Sequence, residues 1–110
     1  MSSLRRHAVP PEPVREIERI LQERLGRFGL QKVEVRGGED HYGEPAIFVE
    51  AWYRLSEEPI DLDAQARAEL AVIDRLVEAG EDRFPYFGHH HAEGQEIAGM
   101  TDRRRRRKAR

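Results

Sequence analysis

The stretch AIFVEAWY, residues 46–53, carries large apolar side chains on both faces of a predicted β-strand. Side chains alternate between the two faces of an extended strand. One face holds Ile47, Val49, Ala51 and Tyr53. The opposite face holds Phe48, Glu50, Trp52 and Arg54. Because two helices can cover only one face, Phe48 and Trp52 require a further cover, which is another strand, a folded-back C-terminal segment or another protein chain.

A second strand precedes this one and is expected to pair with it. In QKVEVRGG, residues 31–38, Val33 and Val35 alternate with charged residues, which is typical of a half-buried strand. GGEDHYGEP, residues 37–45, is rich in glycine and acidic residues and predicts a hairpin loop. Because this loop is too short for a crossover, the two strands should be antiparallel.

Two amphipathic helices flank the hairpin. The first, residues 13–25, follows three prolines and ends where Gly26 and Gly29 interrupt the pattern. Its apolar stripe is Val14, Ile17, Ile20, Leu21, Leu25 and Phe28. The second helix, residues 62–79, can be capped by Asp61 or Asp63. Its predicted inner stripe is Ala66, Leu70, Ile73, Leu76 and Val77.

These elements predict an α+β fold with the order helix, strand, strand, helix, in which the hairpin packs against two helices. The segment RFPYFGHHHAEGQEIAG, residues 83–99, is predicted to be an irregular aromatic loop with room for one short strand. The domain organisation is then a flexible lead-in over residues 1–12, a single domain over residues 13–99 and a disordered basic tail over residues 100–110. A symmetric dimer could join two hairpins into one sheet.

The composition restricts the class of protein. The chain of 110 residues has no cysteine, which excludes disulfides and thiolate metal sites and fits a cytoplasmic location. It has no apolar run of the roughly 18 residues that a membrane span requires, and its first residues do not form a secretory signal. No cofactor is predicted.

The charge is divided unevenly along the chain. Residues 102–110 hold seven basic residues and one acidic residue, a net charge of 7 − 1 = +6, while the rest holds twelve basic and twenty acidic residues, or 12 − 20 = −8. The basic tail could contact phosphates without reading sequence, or dock on an acidic protein surface, or serve only as a solubilising tail. Its candidate nucleic-acid-binding residues are Arg103, Arg104, Arg105, Arg106, Arg107 and Lys108.

The run HHH offers a candidate metal site. In an extended segment His89 and His91 point to one side and His90 to the other. Two imidazoles on one side suit Zn²⁺ or Ni²⁺, and His41 and Asp40 from the hairpin loop, or Glu93 nearby, could complete the set. The alternative is a polar loop whose histidines face water or backbone carbonyls. Asp40, His41 and Glu44 allow acid–base chemistry, although turn formation alone accounts for such residues.

Two resemblances are visible. GRFG, residues 26–29, resembles the GXXG loop of KH domains, but there the loop joins two helices, whereas a strand follows here, so two glycines that end a helix explain it better. The block from Val33 to Tyr53 together with RFPYFGHHH resembles small bacterial proteins of about 100 residues whose function is uncharacterised, and it carries over no functional residues.

The absence of a nucleophile–base set favours a non-enzymatic protein that acts through protein–protein contacts, as a homodimer. Its predicted interface residues are Phe48, Trp52, Phe84, Tyr86 and Phe87. Two alternatives stay open. One is a nucleic-acid-associated accessory protein that uses the tail, and the other is a metal-dependent enzyme that uses His41, His89 and His91.

Overall fold

The computed structural model describes residues 8–98, which form two helices and a three-stranded sheet. In chain order the elements are α1 (Pro11–Leu25), β1 (Leu30–Glu39), β2 (Pro45–Tyr53), α2 (Leu62–Glu78) and β3 (Phe84–His90). The α+β class predicted from the sequence is confirmed. The predicted basic tail and residues 1–7 of the lead-in lie outside the described residues. No helix within residues 8–98 has the length and hydrophobicity needed to cross a bilayer.

β2 is the central strand of the sheet, with β1 on one side and β3 on the other. β1 and β2 are antiparallel, with Val35 opposite Val49 and Glu39 opposite Pro45. β3 runs parallel to β2, with Phe48 opposite Tyr86. Since parallel neighbours need a crossover, α2 supplies the connection between β2 and β3.

The segment predicted as an irregular aromatic loop with room for one short strand is corrected at residues 84–90, where a strand of seven residues forms the edge strand β3. Pro85 and Gly88 lower the intrinsic strand preference of this segment. Proline is nevertheless tolerated on an edge strand, which has no second neighbour to bond. Beyond β3 the chain returns to the start of α2, where Ile97 bridges Ile60 and the Gln95 side chain contacts the backbone of Ser56 and Glu58.

The hydrophobic core lies between both helices and one face of the sheet, here called the helix face. α1 contributes Ile17, Ile20, Leu21 and Leu25, and β2 contributes Ile47, Val49, Ala51 and Tyr53. α2 contributes Ala68, Val72 and Leu76. An ion pair between Arg75 and Glu16 joins the two helices at the surface. The hydrogen bonds that Glu16 accepts from Arg19 and Arg75 lower the pKa of the Glu16 carboxyl.

The inner stripe predicted for α2 is wrong. Of that set only Leu76 is buried, while Leu70 and Val77 are 59% and 67% exposed. The apolar residues of α2 that face the core are Ala68, Val72 and Leu76, which are also at helical spacing. The short side chains of Ala68 and Val72 allow α2 to lie close to the rest of the core. Asp61 caps the helix by accepting hydrogen bonds from the backbone N–H groups of Asp63 and Ala64.

The junction between α1 and β1 depends on Gly29. Gly29 ends a short 3₁₀ turn with φ of +96°, and a Cβ at this position would lie 2.4 Å from the carbonyl oxygen of Arg54. That close approach allows the Arg54 N–H to donate to the Gly29 carbonyl at 2.8 Å. The GRFG segment is thus a helix-ending turn between a helix and a strand.

We predict that Gly29→Ala lowers the free energy of unfolding by about 2 kcal/mol or more, because it adds a backbone clash to the cost of positive φ. Gly43→Ala is the matched control. Gly43 has a φ of +81° with nothing within 4 Å of the added Cβ, so it carries the conformational cost alone. Urea unfolding measures both. Equal losses in the two variants would contradict the close packing at Gly29.

Candidate functional site

The sheet face that points away from the helices, here called the outer face, carries two rows of side chains that cross all three strands. One row consists of Lys32, Trp52 and His90, and the other of Arg36, Phe48 and Tyr86. Each row places a cation on β1, an aromatic ring on β2 and a second ring on β3. No helix or strand within residues 8–98 covers this face, because both helices pack on the opposite one.

Within each row the ring on β2 is contacted from both sides. The Lys32 ammonium lies 4.9 Å from the Trp52 ring centre, and the His90 ring stacks on Trp52 with 4.9 Å between centres. The Arg36 guanidinium lies 4.6 Å from the Phe48 ring centre, and Tyr86 stacks on Phe48 at 5.8 Å. Such cation–π and stacking contacts each contribute about 0.5–1 kcal/mol at exposed sites. The contacts within the rows leave Phe48 and Trp52 half-buried, although no helix or strand in the described part of the chain covers them.

A pair of acidic residues separates the two rows. Glu34 lies opposite Glu50, and Glu50 lies opposite Gly88. The Glu50 carboxylate lies over Gly88, where a Cβ would meet its Oε1 at 2.4 Å, and it contacts His90 Nε2 at 2.6 Å. Gly88 therefore gives Glu50 the space to reach His90. The outer face therefore alternates basic, acidic and aromatic groups.

A shallow depression of about 440 Å³ lies where the outer face meets the hairpin turn. Its floor is formed by Phe48 and Tyr86, and its acidic rim includes Asp40. The Tyr86 hydroxyl donates to Asp40 Oδ2 at 3.1 Å. The backbone N–H groups of Glu44 and Tyr42 also donate to Asp40, and these bonds hold the pKa of its carboxyl below the usual value. Asp40 thus acts as a turn residue that fixes the rim, and it stays ionised.

On the helix face a hydrogen-bond network connects α2 to β2 and β3. His89 bonds Glu69 through Nε2 and the Tyr53 hydroxyl through Nδ1, each at 2.8 Å. The order carboxylate, imidazole, hydroxyl is that of an acid–base relay. Tyr53 is only 5% exposed, however, and burial raises its pKa to about 12. The buried Tyr53 hydroxyl therefore stays protonated. The hydrogen bonds of His89 to Tyr53 and Glu69 hold the strands against α2.

His91 belongs to the same network. The Gln65 amide donates to His91 Nε2 at 2.8 Å, and the His91 ring lies 4.9 Å from the Tyr53 ring. Burial, together with His89 and His90, lowers the pKa of His91. An unprotonated Nε2 is what the Gln65 N–H requires as acceptor, so the geometry and the lowered pKa agree.

The structure does not bring His41 together with His89 and His91. His89 and His91 do lie on one side of the sheet, with rings stacked at 6.2 Å. His41 lies in the β1–β2 turn, beyond the Glu39–Pro45 pair, whereas His89 is level with Ala51. Ala51 is six positions along the strand from Pro45, a span of roughly 20 Å. Among residues 8–98 no group of three or more potential ligands could hold a metal ion.

The five predicted interface residues are divided between the two faces. Phe48, Trp52 and Tyr86 lie on the outer face, joined by Phe84, which is 57% exposed and contacts Tyr86 edge-on. Phe87 lies on the helix face, where it packs against the core. The sequence reasoning missed Lys32, Arg36, Glu50 and His90. The alternation in β1 already placed Lys32 and Arg36 on one face, but their alignment with the rings requires the strand register.

Comparison with protein-family models, with curated proteins and with solved structures found no match to this chain. The resemblance to small bacterial α+β proteins therefore stays a prediction. The functional conclusion rests on the geometry of the outer face and of the helix-face network.

We predict that the free energy of unfolding depends on the protonation of His91. The pKa of His91 is lower in the folded chain than the ordinary value of 6.5, so the unfolded chain takes up the proton more readily. The stability that neutral His91 contributes is therefore complete above pH 6.5 and is lost as the pH falls below 6.5. Between about pH 7 and about pH 5 the native protein should lose stability more steeply than His91→Asn, which cannot take up the proton. Urea unfolding at a series of pH values tests this. Parallel pH profiles for the two proteins would contradict the assignment.

Proposed function

We propose that this chain is a non-enzymatic interaction protein that binds a partner protein through the outer face of its sheet. The observation that carries the proposal is the pair of cation–aromatic rows, Lys32–Trp52–His90 and Arg36–Phe48–Tyr86, on a face that no described element covers. Half-buried aromatic residues interspersed with arginine are typical of protein interfaces.

The arrangement of the rings favours a protein over a nucleic acid on this face. Bases stack on the open faces of aromatic rings. Here each β2 ring is already contacted by a cation from β1 and by a ring from β3, which leaves less of the ring available for stacking. The acidic pair Glu34 and Glu50 lies between the rows and would repel phosphates. A surface of aromatic rings with both signs of charge suits side chains of a protein partner.

Phe48→Ser combined with Trp52→Ser should abolish partner binding without unfolding the chain, because neither ring belongs to the helix-face core. The protein is isolated from its own cells under native conditions, and associated polypeptides are identified by native mass spectrometry. Leu55→Ser is the matched control, since Leu55 is 65% exposed but lies outside the sheet. A polypeptide that remains bound to the double variant would place the binding surface elsewhere.

A second candidate function rests on the basic residues 103–108, which lie outside the described part of the chain. Their charge contrasts with the acidic remainder and suits sequence-independent contact with phosphates. The chain would then be a nucleic-acid-associated accessory protein that binds through its C-terminus.

Deletion of residues 102–110 should remove any nucleic-acid binding together with its salt dependence, because the tail carries the excess positive charge. Fluorescence anisotropy with single-stranded and duplex oligonucleotides over a range of salt concentrations measures both. Equal affinity in the truncated protein would refute this function and leave the outer-face proposal unaffected.

A further inference from the structure

Beside Phe48, toward the hairpin turn, the next cross-strand row of the outer face has almost no side chain on β1 and β2. In that row Gly38 lies opposite Ala46, and Ala46 lies opposite Phe84. A Cβ at Gly38 would lie 3.2 Å from the Phe48 ring, so the missing side chain allows this ring to lie over β1. The depression of about 440 Å³ at this place is lined by Phe48, Tyr86, Glu39, Asp40 and His41.

Asp40 holds a carboxylate at the rim of this aromatic floor. Its Oδ1 accepts from the backbone N–H groups of Glu44 and Tyr42, and its Oδ2 accepts from the Tyr86 hydroxyl at 3.1 Å. A carboxylate oxygen can accept two hydrogen bonds, so Oδ2 has one position left for a further donor. Because these bonds, that of Glu44 above all, hold the pKa of Asp40 below its usual value, the carboxylate is charged at neutral pH.

The charge around the depression is negative. Residues 37–48 hold three acidic residues and no lysine or arginine. Arg36 does not line the depression, and Arg83, which precedes β3, is paired with Glu81. Counting Arg36 still leaves a net charge of −3 + 1 = −2 when His41 is neutral. Aromatic rings beside carboxylates in excess favour a cation over an anion or an apolar group.

We propose that the depression binds an arginine side chain of the partner protein, whose guanidinium lies among the rings that line it and donates to Asp40. This inference rests on the proposed function of the outer face and names the group that the partner presents there. A guanidinium is planar and weakly hydrated, so it can stack on an aromatic ring while the N–H groups at its edge stay available to a carboxylate. Donation to a carboxylate is a charge-assisted hydrogen bond.

Small probes test the site in the full chain. The amide of N-acetylarginine should shift the NMR signals of the Tyr86 ring and of the Asp40 backbone amide. The citrulline analogue is the matched control ligand, because it has nearly the same shape without the positive charge, and it should leave both signals in place.

Two variants test which groups of the depression hold the probe. Asp40→Asn should lower the affinity for the arginine probe about tenfold, because it removes the charge of the acceptor while its amide oxygen can still accept the backbone bonds of the turn. Phe48→Leu should also weaken binding, since it replaces the ring with an aliphatic group. Asp74→Asn, at an exposed position of α2, is the matched control and should bind the probe unchanged.

NMR titration measures these affinities, and the amide spectrum of each variant shows that it is folded. Equal binding of the arginine and citrulline probes would overturn the inference, and so would unchanged affinity in both Asp40→Asn and Phe48→Leu. Signals of the depression that shift when residues 102–110 are deleted would also overturn it, since the arginines of the chain itself would then fill the site.

The partner protein separates this inference from the proposed function. Asp40→Asn should weaken binding of the partner about tenfold, as it weakens binding of the probe. A partner that binds Asp40→Asn unchanged refutes the arginine contact alone. A partner that still binds the variant with both Phe48→Ser and Trp52→Ser refutes the proposed function, whatever the probe shows.

Discussion

The structure depends on the position of β2 between two strands. Paired with β1 on one side and β3 on the other, β2 must present its alternate side chains to both faces of the sheet. Ile47, Val49 and Ala51 are buried under the helices. The bulky Phe48 and Trp52 are directed to the other face by the same alternation. A helix layer on one side therefore leaves an aromatic surface on the other.

The two faces of the sheet are stabilised in different ways. The helix face combines apolar packing with the hydrogen bonds of His89 and His91, which fix β3 against α2. The outer face covers its rings with side chains from the neighbouring strands, so the aromatic groups are partly desolvated while the face stays open.

Sequence patterns identified the parts of this fold that depend on local periodicity. The alternation in residues 46–53 and the stripe of α1 both match the structure. The pattern could not choose between two apolar sides of α2, because the choice depends on how closely the helix packs on the core. It allowed one short strand in residues 83–99 but could not give the bounds or the pairing of β3, since Pro85 and Gly88 are typical of loops and the strand forms beside β2. The cation–aromatic rows require the register of all three strands, and tertiary pairing alone sets that register.

No helix or strand within residues 8–98 covers the outer face, so this face should be open in the protein by itself. Trp52 is the single tryptophan of the chain and lies in the middle strand of that face, so its fluorescence reports on this surface alone. The most direct measurement is the quenching of Trp52 fluorescence by acrylamide in the purified protein over a dilution series. We expect that the quencher reaches Trp52 and that quenching does not change with dilution, because no helix or strand within residues 8–98 covers the outer face. A Trp52 shielded from acrylamide at every concentration would show that the chain covers its own outer face and would rule out this face as a free binding surface.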